Sequence, residues 1–406
     1  MHNEQRQIGS AEFQLIRIAL REDADSDAAL CVALQQPLDW PQLHKLALAH
    51  GVLPLIHRRL QQVAAGLAPA PAMRMMAIWQ KAHELCVAQM TGDLIKVVRT
   101  LEAAQIHVIC IKGPVLAQFA YGDPAMRDFD DLDILVKQSD YAQAESILHR
   151  LGLQPTIDEF FPTHTTTEHE LSSERERHFT FPNQPYCIEL HWRLTTSGYP
   201  RALDTAPLWL YSQQVLLQGH TLCTLGLADQ RLHTCHHGTH HFWAKLRYLV
   251  DFSASMRAID AEGWQALLDN AHRQGLFRPL LVALGLSRDL LGHTLPAHIT
   301  RLVQRDLLAR WSIRYIKSLM MRVTNSGLDD FDPPLLHFLL ADKQRCSGFA
   351  TMTSRMFKPT HMDYQWISLP RSLHWLYPVL RPIRRIWRGL AMLSSRNHHS
   401  SINDHE

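Results

Sequence analysis

Apolar positions along residues 11–104 recur at helical spacing. Leu15, Ile16, Ile18 and Ala19 open an amphipathic pattern, and Leu43, Leu46, Ala47, Val52, Leu53, Leu55 and Ile56 continue one that breaks near Gly51 and Pro54. From Met73 to Ala104 the chain carries no proline and a single glycine, Gly92, and Leu94, Val97, Val98 and Leu101 keep the helical period. The period then changes. IHVICI (106–111) is a short β-branched run that ends at Lys112-Gly113-Pro114, which predicts a buried strand entering a helix with Pro114 in its first turn. VLAQFAY (115–121) fits that helix. A Gly122-Asp123-Pro124 turn and RDFDD lead into LDILV, a second buried strand, and 140–151 reads as a helix with Asp140 as its N-cap. HFTFP and the alternating YCIELHW (186–192) are further strand candidates, after a polar stretch (154–177) that reads as a loop or an insertion.

Helical periodicity returns from Ala228 to about Ala341, with breaks near Gly263, Gly275, 292–296 and 327–334. The layout is therefore helical, then α/β, then helical, an α+β class with a small mixed sheet between helical regions. The corresponding boundaries are 1–104, 105–227 and 228–345, with 346–406 a basic, aromatic and partly disordered tail.

Composition narrows the class. A chain of 406 residues with 46% hydrophobic and 20% charged residues has material for two to four packed domains and is not globally disordered. Lys and Arg number 41 against 39 Asp and Glu, which argues against a polybasic nucleic-acid binder. Seven cysteines without a C-x-x-C pair suggest neither a disulfide framework nor a zinc ribbon. The opening MHNEQRQIGSAEF does not have the pattern of a secretory signal, and no apolar run reaches the roughly 18 residues of a membrane span. The expected compartment is the reducing cytoplasm.

The candidate chemistry lies in the middle region. Asp131 and Asp133 are one residue apart on a predicted strand, so their carboxylates share a face while Leu132 points to the core. Two adjacent carboxylates repel unless a cation sits between them, and Mg²⁺ is commonly held by one or two carboxylates plus substrate phosphates. The plainer alternative is an acidic turn leading into the strand. A glycine at a strand-to-helix turn lets backbone approach a phosphate, the helix N-terminus offers free N–H groups, and Lys112 and Arg127 add positive charge. For Lys112 the plainer alternative is an exposed strand-end lysine. In CIELHW, Glu189 and His191 share one face and Ile188, Leu190 and Trp192 the other. A carboxylate in so apolar a strand needs a partner: a metal shared with Asp131 and Asp133, or a salt bridge to Arg193.

The order strand–K-G–helix, then Y-G-D-P-x-x-R-x-x-x-D-L-D-I-L-V, then I-E-L-H-W, resembles the bacterial uncharacterised nucleotidyltransferase family of the polymerase-beta-like nucleotidyltransferase superfamily. The segment LHTCHHGTHHFWAKLRYLVD (232–251) resembles the His-rich helical stretch that follows the core in that family. The resemblance covers roughly residues 100–255. It implies that Asp131, Asp133 and Glu189 are the catalytic, metal-binding carboxylates of a two-metal Mg²⁺ site, and that Gly113 is the first glycine of the superfamily's hydrophobic–Gly–Gly/Ser signature. Pro114 stands where a Gly or Ser is expected, and Lys112 is suited to compensate at the phosphates, alongside Gly113 and Arg127. The implied reaction is in-line attack of an acceptor hydroxyl on the α-phosphorus of an NTP, such as ATP, with pyrophosphate leaving.

His233, His236, His237, His240 and His241 stack along one helix face. That is either a zinc face or, with no carboxylate between Asp229 and Asp251, a set of pocket-lining and packing residues; His191, His237 and Asp251 are the pocket candidates, with Asp251 fixing an imidazole or an arginine such as Arg247. The tail carries Arg371, Arg381, Arg384, Arg385, Arg388 and Arg396 among Trp366, Trp375, Tyr377 and Trp387, with no acid from Tyr364 through Asn403. It suits an anionic lipid surface or a nucleic acid; the alternative is a short amphipathic helix docked on the helical region, followed by a disordered end.

Three functions fit this pattern. The first is a cytoplasmic Mg²⁺-dependent nucleotidyltransferase acting on a small molecule, sugar, peptide or protein hydroxyl, in a polysaccharide or peptide pathway. The second is a toxin–antitoxin or defence enzyme that nucleotidylates a protein or RNA. The third is an inactive nucleotide-binding scaffold, which the presence of all three carboxylates disfavours.

Overall fold

Short capped helices build the first part of the chain. Ser10 accepts from the Phe13 N–H at the start of α1 (Ala11–Ala19), and Asp39 accepts from the Gln42 N–H at the start of α3 (Trp40–Ala49), with α2 (Ser26–Ala33) between them. α4 (Leu53–Val63) begins with Pro54 in its first turn, and the proline-free stretch from Met73 belongs to the 34-residue helix α5 (Ala70–Ala103), which carries Pro71 in its first turn. The computed structural model describes residues 10–156, 175–195, 206–321 and 366–384, with Phe357 and Asp363.

After α5 come β1 (Ile109–Cys110), α6 (Gly113–Tyr121), β2 (Asp131–Leu135), α7 (Tyr141–Arg150), β3 (Gln154–Pro155), β4 (Glu176–Thr180) and β5 (Cys187–His191). A short helix α8 (Ala206–Leu210) precedes a hairpin, β6 (Gln213–Leu217) and β7 (His220–Thr224). The described strands form one mixed seven-stranded sheet in the order β3-β4-β5-β2-β1-β7-β6. β2 runs parallel to β5 and β1 parallel to β7, and the remaining pairs are antiparallel. The sheet is therefore larger than the 106–192 expected: the hairpin adds two strands that the hydrophobic pattern did not mark.

The C-terminal helices are α9 (Leu227–His240), α10 (Leu246–Ser255), α11 (Ala261–Arg273), α12 (Phe277–Leu291), α13 (Ala297–Arg305) and α14 (Leu307–Met320). The break expected near Gly263 falls at 256–260; Gly263 itself sits in the first turn of α11 and donates its N–H to the Asp260 cap. Asp140 precedes α7 as expected but makes no capping bond; its carboxylate accepts from Ser139 Oγ instead.

The sheet divides two cores. One face presents Val108, Cys110, Leu132, Ile134, Ile188 and Leu190 to α5 and α7. The other presents Ile109, Ile111 and Leu135 to a core shared by helices from both ends of the chain. Asp131, Asp133, Glu189 and His191 belong to this second face by strand alternation. Most of the polar stretch 154–177, the 327–334 break and the tail residues Arg385, Trp387, Arg388 and Arg396 lie outside the described residues. In the described part of the tail, Arg381 and Arg384 are paired with Asp363 at 2.8 and 2.7 Å.

Candidate functional site

Strand register builds the acidic end of the site. Parallel pairing sets Asp133 beside Glu189 and Leu135 beside His191. On the other side of β5, antiparallel β4 sets Glu176 beside His191 and His178 beside Glu189. All these side chains stand on the same sheet face. The chain then leaves β1 through Lys112 and Gly113. Gly113 has φ +58, a conformation that strongly favours glycine, and the point where its Cβ would stand is 3.5 Å from the Asp131 carbonyl oxygen. This turn brings the Lys112 ammonium to 2.5 Å from Asp133 Oδ1.

His191 joins two carboxylates. Its Nε2 is 3.1 Å from Asp133 Oδ1, and its Nδ1 is 3.0 Å from Glu176 Oε2. Glu189 lies 3.4 Å from His191 and 3.5 Å from His178, so its neighbours are imidazoles rather than Arg193. Arg175 pairs with Glu176 at 2.8 Å. Asp133 is 1% exposed, and its second oxygen, Oδ2, has no hydrogen-bond partner within the protein.

Charge follows from these contacts. Burial opposes ionisation of Asp133, but Lys112 and His191 outweigh it and hold its carboxyl well below the usual range. Asp131 is pushed up to about 6, first by burial and then by the Asp133 charge. Burial also opposes the charges on Lys112 and His191, and the surrounding carboxylates outweigh it in both cases, so both pKa values are raised.

Across the site stands α9. Gly238 lets it close against its own exit: after His240 the chain turns back through Phe242 and Trp243, both at positive φ, and a Cβ on Gly238 would meet the Trp243 ring at 2.4 Å. Trp243 is fully buried, and its backbone N–H donates to the Gly238 carbonyl at 2.7 Å. The result is a cavity of about 250 Å³ between the carboxylate strands and α9, with His233, His237 and His241 on its helical wall. His241 stacks on Tyr248 at 4.9 Å. Burial and the nearby Lys112 charge drive His233 and His237 well below the ordinary histidine value and His241 down to about 3, so these rings are neutral at pH 7. Among the described residues the groupings of three whose ligand atoms are close enough to hold an ion are Asp133–Glu189–His191 and Glu176–His178–Glu189, and neither includes a histidine of α9.

Arg127 reaches the cavity, but it is anchored behind it. Its Nε donates to Asp251 Oδ2 at 2.9 Å, and Tyr121 Oη donates to Asp251 Oδ1 at 2.7 Å. Asp251 is thus a support behind the wall, and of its two expected partners, an imidazole or an arginine, it holds an arginine, Arg127. Lys112, Asp131, Glu189, His191 and His237 line the cavity itself. Sequence reasoning missed Glu176, His178, Arg175 and Lys245 as site residues; Arg175 and Glu176 sit at the end of the polar stretch, and His178 opens the strand candidate HFTFP, whose start the structure moves back to Glu176.

Residues 36–292 match the model of a family described as "Uncharacterised nucleotidyltransferase", more than half of the chain. No curated protein and no solved structure matches it. No described helix is long and apolar enough to cross a membrane.

Proposed function

The chain belongs to the uncharacterised nucleotidyltransferase family, and from that premise we propose that it moves a nucleoside monophosphate from an NTP to an acceptor hydroxyl, with Mg²⁺ held by Asp131, Asp133 and Glu189. The observation that carries this reading is the placement of Asp131, Asp133 and Glu189 on one face of two paired strands, beside the Lys112-Gly113 entry to α6.

The residues fit a hard cation. Asp133 Oδ2 is buried without a protein partner, and Asp131 is strained toward protonation by its neighbours, two conditions that a divalent cation relieves. Bound there, the metal supplies Lewis acidity at the α-phosphoryl group and lowers the pKa of the acceptor hydroxyl. Lys112 offers a point charge to the triphosphate, and the first turn of α6 offers the N–H groups of Gly113 and Val115. Pro114 has no N–H to give, which leaves more of the phosphate contact to Lys112. Arg127, fixed by Asp251, adds a second rigid charge. In the reaction the bond from the α-phosphorus to the bridging oxygen breaks, a bond to the acceptor oxygen forms, pyrophosphate leaves and the hydroxyl proton is lost to solvent.

The test is incubation of the protein with α-labelled NTPs, Mg²⁺ and cell extract, read as label on an acceptor hydroxyl of a small molecule, sugar, peptide or protein. Label that forms equally with the Asp131→Asn protein, or equally in EDTA, would overturn the proposal.

A further inference from the structure

The cations of the cavity fall into two sets. Lys112, Arg127 and Arg175 are each neutralised, by Asp133, Asp251 and Glu176. Lys245 and Arg247 line the same cavity and have no carboxylate within salt-bridge distance among the described residues. Arg247 is held in place without being neutralised: its Nη1 donates to the Asp128 carbonyl at 2.7 Å, its guanidinium lies over the Tyr248 ring, and its buried Nε has no partner.

One further polar group converges on this end without a partner. Arg127 is 3% exposed, and its Nη1 makes no hydrogen bond. His233 lies toward the acidic side of the cavity, near Lys112, Asp133 and His191. Buried donors are rarely left unpaired, so Arg247 Nε and Arg127 Nη1, facing one space beside the uncompensated Lys245, point to an acceptor-rich ligand. The helix N-terminus of α10 does not supply the recognition: the Leu246 and Arg247 N–H groups are already taken by His50 Nδ1 and the His50 carbonyl. The side chains do.

We infer that Lys245, Arg247 and Arg127 Nη1 form an anion subsite for a phosphate group, on the basic side of a cavity whose other side is acidic. The choice of phosphate rests on the nucleotidyl-transfer reading; the anion site itself rests on the unpaired donors. Forked guanidinium groups suit phosphate oxygens, and the Lys245 ammonium adds a point charge. The phosphate belongs either to the tail of the nucleotide or to a phosphorylated acceptor.

The test titrates the full chain with inorganic tripolyphosphate in EDTA, where neither metal nor turnover contributes. The wild-type protein is expected to bind it. Arg247→Gln should weaken binding about tenfold, and the Lys245→Met/Arg247→Gln protein about a hundredfold, the size of losing charge-assisted hydrogen bonds. Asp131→Asn, which removes a repelling charge, should bind at least as tightly. If Arg247→Gln fails to fold, Lys245→Met at the half-exposed position carries the test. No binding by the wild type, or equal binding by the folded variants, overturns the subsite. A second arm adds NTP with Mg²⁺: displacement of tripolyphosphate assigns the subsite to the nucleotide tail, and simultaneous binding assigns it to the acceptor. A protein that binds tripolyphosphate in EDTA yet labels no acceptor would refute the transferase chemistry and leave the subsite standing.

Discussion

The Lys112 ammonium and the Asp133 carboxylate are 2.5 Å apart in a site that leaves the lysine side chain 10% exposed and the aspartate side chain fully buried. Asp131, two residues away, has no cation at salt-bridge distance among the described residues and carries the opposite pKa shift. Two aspartates that are equivalent in the sequence pattern are thus opposite in energetics: one is locked by its neighbours, and the other is strained by them.

The corresponding variants should separate activity from stability. Asp131→Asn should lose nucleotidyl transfer while gaining about 1–2 kcal/mol in EDTA at pH 7.5, because a half-buried, repelled charge is removed. Asp133→Asn should lose transfer and also roughly 3–5 kcal/mol, because Lys112 and His191 are left as buried cations without their shared anion. Urea unfolding beside a labelled-NTP assay checks both. Equal stability of the two variants would contradict the asymmetry.

Asp251 should be a stability residue with a secondary effect on turnover. Asp251→Asn breaks a pair whose members are 3% and 4% exposed, and should lower stability by roughly 3–5 kcal/mol. Tyr121→Phe removes only one hydrogen bond to the same carboxylate and should cost about 1–2 kcal/mol. The denaturation midpoints of the two proteins check the ranking.

Gly238→Ala should be among the more damaging single-methyl additions in the chain. The added carbon would overlap the Trp243 ring, which is enclosed and in edge contact with Phe252. Overpacking of this kind costs about 1–3 kcal/mol. The near-UV dichroism of Trp243 should change with it, and an unchanged spectrum at unchanged stability would show that the ring moves freely.

His50 should contribute to acid sensitivity. Burial, and then the Lys245 charge, lower its pKa from 6.5 to about 4. Between those values the unfolded chain binds a proton that the native protein refuses, so stability is full above pH 6.5 and falls as pH drops toward 4. The loss across that window is about 3 kcal/mol. His50→Gln should show a flatter stability curve between pH 7 and 4.5, followed by thermal unfolding, at some cost at neutral pH. A parallel curve would remove His50 from the account.

The parts of the site that were legible in the sequence are those in which a strand faces a core on one side. Asp131-Leu132-Asp133 and Glu189-Leu190-His191 have period-two patterns with a buried leucine between polar neighbours, so their shared faces could be read directly. The β6–β7 hairpin could not: its turn is Gln218-Gly219, both at positive φ, without the asparagine or aspartate that usually marks such a turn, and β6 alternates weakly at an exposed edge. Glu176 and His178 act through β4, whose mate across the sheet is fixed only by tertiary register. Asp251 illustrates the opposite limit. Its position was picked out, yet its partner, 124 residues earlier, follows from packing that no local pattern carries.

The bond from the Leu246 N–H to His50 Nδ1 spans 196 residues. During synthesis the imidazole therefore leaves the ribosome well before its partner exists. At ordinary elongation rates the interval is roughly 10–40 s. Through that time the ring that later caps α10 stays exposed, free to titrate as an ordinary histidine and open to a chaperone. The basic side of the cavity, which hangs on α10, is thus among the later parts of the site to take shape, after the carboxylate strands have been made.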